Sequence, residues 1–379
     1  MAVLGICSLK GGVGKTSITL GLASAAIYAG LKTLVVDLDP QADTTMALGV
    51  LGAAENDVAA VLDNPSSFVV KSAIAPSPWN PDLLHAVVGS NASARHDGPS
   101  YAHRLTRLKH ALESLHNEYD VILIDCPPSL GGLTRQGLTS CDRALIVTEL
   151  GLFSVTAAGR AFQAIDEIRR ESAPNLQPLG VLVNRVRARS SEQAFRQEEL
   201  TKMFGPLILT TYIPERSALQ QAQGAGSPIH AWPSRAARDL ADRFDAVLSR
   251  ALRSIARDKQ AVNTHGAESS QQDEHVAGEP SAIGNETQRQ SVASSLADVA
   301  ELGSERTTSG AFGSDALDQE FGSVPLTTFS PQNSDEQWAH SRDASDPSEF
   351  EDNRSPALSH HAHEVAEEFQ AFAPRAATE

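Results

Sequence analysis

A glycine-rich segment near the start of the chain has the composition of a phosphate-binding loop. An apolar run of strand length, residues 3–8, leads into the segment, and a helical pattern follows it. In this setting glycines let the backbone turn, so that successive N–H groups and the helix N-terminus face phosphate oxygens. The residues predicted to bind a nucleotide through this P-loop are Lys10, Gly11, Gly12, Val13, Gly14, Lys15, Thr16 and Ser17.

One position of the loop departs from the ordinary pattern. Leu9 stands where the usual motif has a glycine, and Lys10 follows it. A lysine at this place is diagnostic of the deviant Walker A class of P-loop. Lys15 is expected to contact the β- and γ-phosphates as a binding and catalytic group, and the Thr16 hydroxyl is expected to ligate Mg²⁺.

Carboxylates follow two further apolar runs of strand length. Asp37 and Asp39 come at the end of the run at 33–37, and Asp125 follows the run at 121–124. The carboxyl ends of parallel strands form the ligand side of an open α/β sheet. We therefore expect Asp125 to hold Mg²⁺, directly or through water, beside the phosphates of a bound nucleotide.

The elements that must position these residues alternate between strand and helix patterns. Such alternation predicts an α/β P-loop NTPase fold, in which helices flank a mostly parallel central sheet. Most of the strand runs are apolar on both faces, as expected for strands covered by helices on either side. The predicted strands are 3–8, 33–37, 84–88, 121–124, 144–148, 179–183 and 207–213, and the predicted helices are 16–29, 105–115, 154–170, 191–203 and 234–256.

Charge divides the chain into two parts. Residues 258–379 carry 23 acidic and 6 basic side chains, against 47 and 31 in the whole chain, so this segment holds nearly all of the net charge of −16. Its low apolar content cannot offset the entropy cost of folding. We predict a folded P-loop domain at 1–257 and an acidic, low-complexity, disordered tail at 258–379. A partner-binding motif in that tail remains open.

Several features indicate a cytoplasmic protein. The first residues lack the pattern of a signal peptide, and the longest weakly polar run, 20–31, is too short to span a bilayer. The three cysteines, Cys7, Cys126 and Cys141, are scattered and show no metal-ligand spacing. They are typical of a reducing compartment.

The order of these motifs resembles the ParA and MinD family of ATPases, and the ParA partition ATPases most of all. After the loop K-G-G-V-G-K-T come D-L-D-P-Q at 37–41 and I-L-I-D-C-P-P-S-L-G at 122–131. Further matches are G-V-L-V-N at 180–184, Y-I-P at 212–214 and G-S-P-I at 226–229. The resemblance spans about residues 1–257 and does not reach the tail.

The resemblance implies a dimer that closes on ATP, with Lys10 of each subunit crossing to the phosphates of the other as a catalytic group. It implies that Asp39 orients or activates the attacking water and that Asp37 supports the magnesium shell. Asn184 would read the adenine edge, and Pro214 would line the base pocket. ATP and Mg²⁺ are the implied cofactors, and hydrolysis is expected to be slow and stimulated by a partner.

The same resemblance implies that the ATP dimer binds DNA non-specifically, associates with the nucleoid, and drives chromosome or plasmid partition with a ParB-like protein. Such binding needs only cations on one face, because phosphate contacts read no sequence. Alternatively, these cations form a solvated face paired with neighbouring carboxylates. The candidate side chains are Arg185, Arg187, Arg189, Arg216, Arg235 and Arg238.

Other functions compete with partition. A MinD-like membrane protein would need a basic amphipathic helix near its C-terminus. Residues 364–372 are acidic instead, so no stable membrane association is expected. A ParA/MinD-like ATPase could also position another cargo, such as a protein assembly or a division-site regulator. A metabolic relative of the fold is a further alternative, although Cys141 alone cannot supply the cysteine pair of an iron–sulfur relative.

Overall fold

The computed structural model describes residues 1–98, 102–187 and 189–272. Within these residues seven strands form one sheet, in the order β3-β4-β2-β5-β1-β6-β7. The strands are β1 (Ala2–Cys7), β2 (Thr33–Asp37), β3 (Ile74–Pro76), β4 (Leu84–Val87), β5 (Val121–Asp125), β6 (Arg143–Glu149) and β7 (Gln177–Asn184).

The sheet is parallel except at one edge. Only the β3–β4 pair runs antiparallel among the described strands. The central strands β1, β2 and β5 are buried on both faces, which explains their unbroken apolar sequences. The register places Asp37 of β2 directly opposite Asp125 of β5, so the two predicted strand-end carboxylates meet at the carboxyl edge.

Helices cover both faces of this sheet and enclose two apolar cores. Three short 3₁₀ helices, Asn91–His96, Gly205–Leu207 and Ile229–Ala231, lie between them. The α-helices are α1 (Lys15–Tyr28), α2 (Asp43–Ala47), α3 (Val58–Asp63), α4 (Ser67–Ser72), α5 (Ala102–Leu105), α6 (Arg107–Glu113), α7 (Gly132–Thr139), α8 (Ser154–Glu171), α9 (Ser191–Phe204), α10 (Ser217–Gly224) and α11 (Arg235–Gln272).

The helix that follows the P-loop is buried deeply against α11. A side chain at Gly21 of α1 would place its Cβ 2.3 Å from ring atoms of Phe244, which is fully buried on α11. A glycine is therefore needed where the two helices approach most closely. This contact confirms that the amphipathic pattern at 234–256 belongs to a helix of the core.

The predicted strands need two corrections. Residues 207–213 are not a strand, because one isolated bridge, from Ile208 to Val181, joins this segment to β7. The N–H groups of Leu209 and Ile213 donate to Val181 and Val183, both at 2.9 Å, but the segment begins in a 3₁₀ turn and pairs irregularly. In the other direction β3 was missed, because three residues ending in Pro76 are too short for a periodic pattern.

The last described helix passes the predicted end of the folded domain at residue 257. The side chain of Asp258 pairs with Arg143 at the start of β6. Lys259 Nζ lies 3.0 Å from Asp142 Oδ2 and donates to the Met1 carbonyl oxygen at 2.6 Å. Most of the predicted tail, residues 273–379, lies outside the described part of the chain.

Candidate nucleotide site

The P-loop joins β1 to α1 through two glycines with left-handed backbone. Gly12 has a φ of 78° and Gly14, at the N-cap of α1, a φ of 88°. Both conformations are favourable for glycine and strained for other residues. In addition, a Cβ on Gly14 would lie 2.4 Å from Asn184 Nδ2. The loop can therefore keep this shape only with glycine at position 14.

The loop presents its two lysines to different surroundings. Lys15, in the first turn of α1, is buried, with only 7% of its surface exposed. Lys10, Gly11 and Gly12 are all exposed at the tip of the loop. Lys15 is thus positioned for phosphates bound within the loop, whereas Lys10 faces outwards.

Two buried carboxylates lie below the loop, each held by a threonine of α2. Asp125 Oδ2 accepts hydrogen bonds from Thr16 Oγ1 at 2.9 Å and from Thr44 Oγ1 at 2.6 Å. Asp37 Oδ2 accepts from the N–H and the hydroxyl of Thr45, both at 2.8 Å. The structure therefore brings together Thr16, Asp37 and Asp125, the three predicted Mg²⁺ ligands.

The electrostatics of these carboxylates favour a cation. Burial raises the pKa of Asp37 to about 7, and the charge of Asp125 adds to this effect. Burial also raises the pKa of Asp125. The second oxygen of Asp125, Oδ1, is buried and has no hydrogen-bond partner among the described residues. A cation beside it would supply both the missing partner and the missing charge.

The donor set fits Mg²⁺ that is shared with a nucleotide. The described residues contain no cluster of three or more His, Cys, Asp or Glu side chains that could hold a metal ion. Mg²⁺ at phosphate-transfer sites usually takes one or two protein carboxylates and completes its shell with phosphate oxygens and water. A threonine hydroxyl beside two carboxylates suits that arrangement.

Asp39 lies just beyond the end of β2, half-exposed at the same edge. Its N–H donates to Asp37 Oδ1 at 3.2 Å, and its own Oδ1 accepts from the N–H of Gln41 at 3.1 Å. The carboxylate is therefore held near the buried pair but open to solvent, where a water molecule could meet it. Its predicted role with the attacking water stays a prediction.

The residues predicted for the adenine base lie beside the loop. Asn184, buried at the end of β7, donates from Nδ2 to the Val13 carbonyl oxygen at 2.7 Å. Pro214 is buried and bridges to Val186, just beyond β7. The amide of Asn184 thus supports the P-loop in this structure, and contact of either residue with a base stays a prediction.

Sequence reasoning missed Gln223 of α10, which lies next to the first turn of α1. Ser17 Oγ donates to Gln223 Oε1 at 3.2 Å. The other end of this amide, Nε2, is buried without a hydrogen-bond partner among the described residues. An unsatisfied donor beside the P-loop helix is a further candidate contact for the nucleotide. No local pattern marks this glutamine, because 206 residues separate it from Ser17.

The arginines predicted for DNA fall into two groups. In the first, Arg185 donates from Nη1 to the Gly12 carbonyl oxygen at 2.7 Å and to Glu149 Oε1 at 2.6 Å. Arg187 pairs with Glu215, and Arg189 is exposed. Arg185 therefore fastens the P-loop to the end of β6, a role that the sequence did not predict.

The second group lies at the start of α11. Arg216 and Arg235 line an open cleft of about 500 Å³ together with Asp239 and Arg243. Arg243 stacks on the ring of Tyr212 at 4.6 Å and is held by Asp239. Arg238, the other candidate on this helix, is exposed.

Comparison with known proteins places the chain in a family. A family model described as an AAA domain matches residues 1–178. The sporulation initiation inhibitor protein Soj of Bacillus subtilis is 32% identical over 228 residues, which cover 60% of this chain and 89% of Soj. The chain belongs to the ParA/MinD family of ATPases. The chromosome partitioning protein ParA of Myxococcus xanthus is also similar, with 28% identity over 60% of this chain and 80% of that protein.

A solved structure confirms the predicted fold class for the described part of the chain. The crystal structure of cobyrinic acid a,c-diamide synthase from Mycobacterium smegmatis, with bound ATP analog and magnesium, superposes with a TM-score of 0.56. It is 25% identical, and the match covers 65% of this chain and 94% of the synthase. Among the described helices of this ParA/MinD family member, none is long and apolar enough to cross a membrane.

Proposed function

We propose that the protein is a ParA-like ATPase that dimerises on ATP, binds DNA non-specifically, and drives chromosome or plasmid partition with a ParB-like partner. The observation that carries this proposal is the site itself. A P-loop with an exposed Lys10 stands above the buried carboxylates Asp37 and Asp125 at one edge of the sheet. The name of the relative from Myxococcus xanthus, chromosome partitioning protein ParA, supports partition as the process.

ATP and Mg²⁺ are the cofactors that this site takes. Both are present, as an ATP analog and magnesium, in the similar diamide synthase structure. Mg²⁺ supplies charge neutralisation for the phosphates when bound. The N–H groups of the loop and Lys15 bind the phosphates, while Thr16 and Asp125 hold the ion. Asp39 orients the attacking water.

The surface around the loop supports a dimer. Leu152 and Phe153, in the loop after β6, are 64% and 68% exposed. They follow Glu149, which is joined through Arg185 to the Gly12 carbonyl oxygen. Exposed apolar side chains next to a binding site favour burial by another protein surface. A second copy placed there brings its Lys10 to the bound phosphates, so that the charge of the transition state is neutralised only in the dimer.

Slow hydrolysis follows from this arrangement, because the lysine acts only after dimerisation. A ParB-like partner that stabilises the closed dimer stimulates the reaction. The folded domain at 1–257 performs these steps, and the acidic segment at 258–379 is separate from them. The protein acts in the cytoplasm on the nucleoid, without stable membrane association.

The second arginine group carries the DNA proposal. Arg185 and Arg187 are each paired with a carboxylate, so they contribute less positive charge to the surface. Arg216 and Arg235 line one cleft at the start of α11, and Arg238 is exposed on the same helix. Exposed cations suit a DNA backbone, which needs charge and no base reading.

The experiment is co-sedimentation of an Asp39→Ala protein with non-specific DNA. This change is designed to trap the ATP dimer, and we expect DNA binding only with ATP and Mg²⁺. Arg216→Ala combined with Arg235→Ala should keep ATP binding and lose the DNA. Arg196→Ala is the matched control, because Arg196 pairs with Glu192 and Glu199 on α9. Equal sedimentation with and without ATP would contradict the proposal.

A further inference from the structure

The short helix α2 has two sides of opposite character. Its residues Thr44 and Thr45 are completely buried, whereas Asp43 and Met46 on either side of them are exposed. A threonine within a helix commonly bonds to its own backbone or faces solvent. The hydroxyls of Thr44 and Thr45 instead donate to the two strand-end carboxylates of the nucleotide site.

The two threonines differ in how replaceable their hydroxyls are. Thr45 binds Asp37 twice, because its N–H and its hydroxyl both donate to Oδ2 at 2.8 Å. The same hydroxyl accepts from the N–H of Gly89 at 2.7 Å. In the described part of the chain, the one hydrogen bond between Thr44 and Asp125 is donated by the hydroxyl, at 2.6 Å. Removal of the Thr44 hydroxyl therefore takes away the whole contact, whereas Asp37 keeps a backbone donor if Thr45 is changed.

Asp125 connects Thr44 to the P-loop helix. Its Oδ2 accepts from Thr44 and also, at 2.9 Å, from the hydroxyl of Thr16 in the first turn of α1. A hydroxyl has one proton and two lone pairs. Because the proton of Thr16 is directed at Asp125, both lone pairs of Thr16 Oγ1 are left for another partner. Thr16 is partly exposed, so it is open to a partner from solution, whereas Thr44 is not.

The orientation of the Asp125 carboxylate decides where these lone pairs point. The terminal torsion of an aspartate has broad minima, so the carboxyl group turns easily unless its oxygens are held. Oδ1 has no hydrogen-bond partner among the described residues. The hydroxyls of Thr16 and Thr44 are thus the hydrogen bonds that restrain the carboxylate there, one from α1 and the other from α2.

Helix α2 presents Thr44 from a fixed support. Leu48, which follows the helix, is fully buried, and its carbonyl oxygen accepts from Ser77 Oγ at 2.8 Å. Before the helix, Ala42 has a φ of 55°, a left-handed conformation that is unfavourable for a residue with a Cβ. Such strain persists only where the surrounding structure enforces it. Both ends of α2 are therefore held in place.

We propose that Thr44 is a positioning residue of the Mg²⁺ site, acting through Asp125 on the hydroxyl of Thr16. Thr44 holds the carboxylate so that the Thr16 proton stays directed at Oδ2 and the lone pairs of Thr16 stay free for the ion. Thr44 itself lies outside the metal shell. This role rests on the proposed use of ATP and Mg²⁺ at the site and is independent of DNA binding and partition.

The test compares nucleotide affinity with and without the ion. Calorimetric titration of the full chain with a non-hydrolysable ATP analog, in Mg²⁺ and in EDTA, gives two dissociation constants. Their ratio measures how far the ion strengthens nucleotide binding. Thr44→Val keeps the shape of the side chain and removes the hydroxyl. We expect it to reduce the ratio about tenfold, as is typical when the orienting partner of a metal ligand is lost, and to leave the affinity in EDTA nearly unchanged.

Matched variants separate the hydroxyl from packing. Thr44→Ser keeps the donor and should restore the ratio, whereas Thr44→Ala should act like Thr44→Val. The control is Thr33→Val at the start of β2, because Thr33 is also completely buried but donates to the Leu31 carbonyl oxygen at 2.9 Å. It should keep the ratio of the parent chain. Melting curves show that each variant is folded.

An unchanged ratio in the Thr44→Val protein overturns the proposal. So does a Thr44→Ser protein as impaired as Thr44→Val, since packing and not the hydroxyl would then matter. Equal losses of affinity with and without the ion also overturn it, because the change would act on the whole P-loop. These three results leave the cofactor assignment intact. If Mg²⁺ does not strengthen nucleotide binding in the parent chain, the cofactor assignment fails together with the role of Thr44.

Discussion

At the residue scale, the carboxylate of Asp125 stands out because its two oxygens have unequal hydrogen bonding. Oδ2 accepts two hydrogen bonds, whereas Oδ1 accepts none from the described residues. The residue is only 1% exposed, so water compensates little of its charge. Lys15 attracts it and partly offsets the rise in its pKa caused by burial. A bound Mg²⁺ ion would give Oδ1 its missing partner and compensate the remaining negative charge.

Replacing this carboxylate should therefore uncouple the nucleotide from the metal. For Asp125→Asn we expect Mg²⁺-dependent ATP affinity to fall by about 10–100-fold, since the ion loses its buried anionic partner. Affinity in the presence of EDTA should change much less. Titration with a fluorescent ATP analogue checks this, with the exposed Asp82→Asn as control. An unchanged response to Mg²⁺ would remove Asp125 from the metal site.

The two lysines of the loop should respond differently to substitution. Lys15→Ala should abolish ATP binding, because Lys15 is buried in the first turn of α1, where the phosphates are predicted to bind. Lys10→Ala should retain binding and lose hydrolysis by about 100- to 1000-fold, as expected when a group acts only on the transition state. Equilibrium binding and single-turnover hydrolysis separate the two effects. Normal hydrolysis by the Lys10→Ala protein would refute its action across the dimer.

Single residues were predictable from sequence where the chemistry is local. The P-loop residues follow one another, and Asp125 ends the apolar strand β5, so spacing alone was enough to predict a site there. Thr44, Thr45 and Glu149 were missed because they act only through contacts with distant parts of the chain. The hydroxyl of Thr44, for instance, reaches Asp125 across 81 positions. No local pattern can report such a contact.

At the element scale, the P-loop is held by side chains at the ends of two strands. Asn184 on β7 binds the Val13 carbonyl oxygen, and Arg185 binds that of Gly12 while Glu149 of β6 holds its guanidinium. These donors bind carbonyl oxygens of the loop. The N–H side is left for phosphate oxygens, which is what anion binding at a helix N-terminus needs.

Loss of the hydrogen bond from Arg185 to the loop should weaken nucleotide binding. We expect Arg185→Ala to reduce ATP affinity about fivefold, because one charge-assisted hydrogen bond to the loop contributes about 1 kcal/mol after solvent screening. Arg187→Ala is the matched control, since Arg187 is two residues away and pairs with Glu215 instead. Calorimetric titration of both variants makes the comparison. Equal ATP affinities of the two variants would show that the hydrogen bond from Arg185 to the loop does not contribute to binding.

The strength of the periodic signal decided which elements were predictable. Long buried strands and helices such as α1 and α8 were found close to their true bounds. Several helices of four to eight residues, α2 and α7 among them, were missed because they span too few turns for a pattern to show. The seven-residue helix α6 was predicted, within a longer helix at 105–115. Residues 207–213 have the composition of a strand, but the structure joins them to β7 by one isolated bridge, from Ile208 to Val181.

At the scale of the whole molecule, α11 contacts the beginning of the chain, where Lys259 donates to the Met1 carbonyl oxygen. Arg143 is 9% exposed, its Nε has no hydrogen-bond partner among the described residues, and Asp258 pairs with its outer nitrogen. Asp258, which the change in composition places in the tail, therefore contacts the sheet through Arg143. The position of the domain boundary at residue 257 stays a prediction.

Breaking this pair should destabilise the domain. For Asp258→Ala we expect the free energy of unfolding to fall by about 1–2 kcal/mol, less than for a fully buried pair because Asp258 is half exposed. Arg257→Ala, the exposed neighbour, is the control. Urea unfolding of the full chain measures both. No difference between them would place the end of the folded unit before residue 258.

The first helix connects the two ends of the molecule. Helix α1 has 14 residues, so it is a rod of about 21 Å, with Gly14 and the phosphate loop at one end and Tyr28 at the other. Phe244 fits against Gly21 near its middle, which fixes where the rod can slide or tilt. Any displacement of the phosphate end along the axis is an equal displacement of Tyr28. The nucleotide edge and the opposite edge of the sheet are thus joined by one helix.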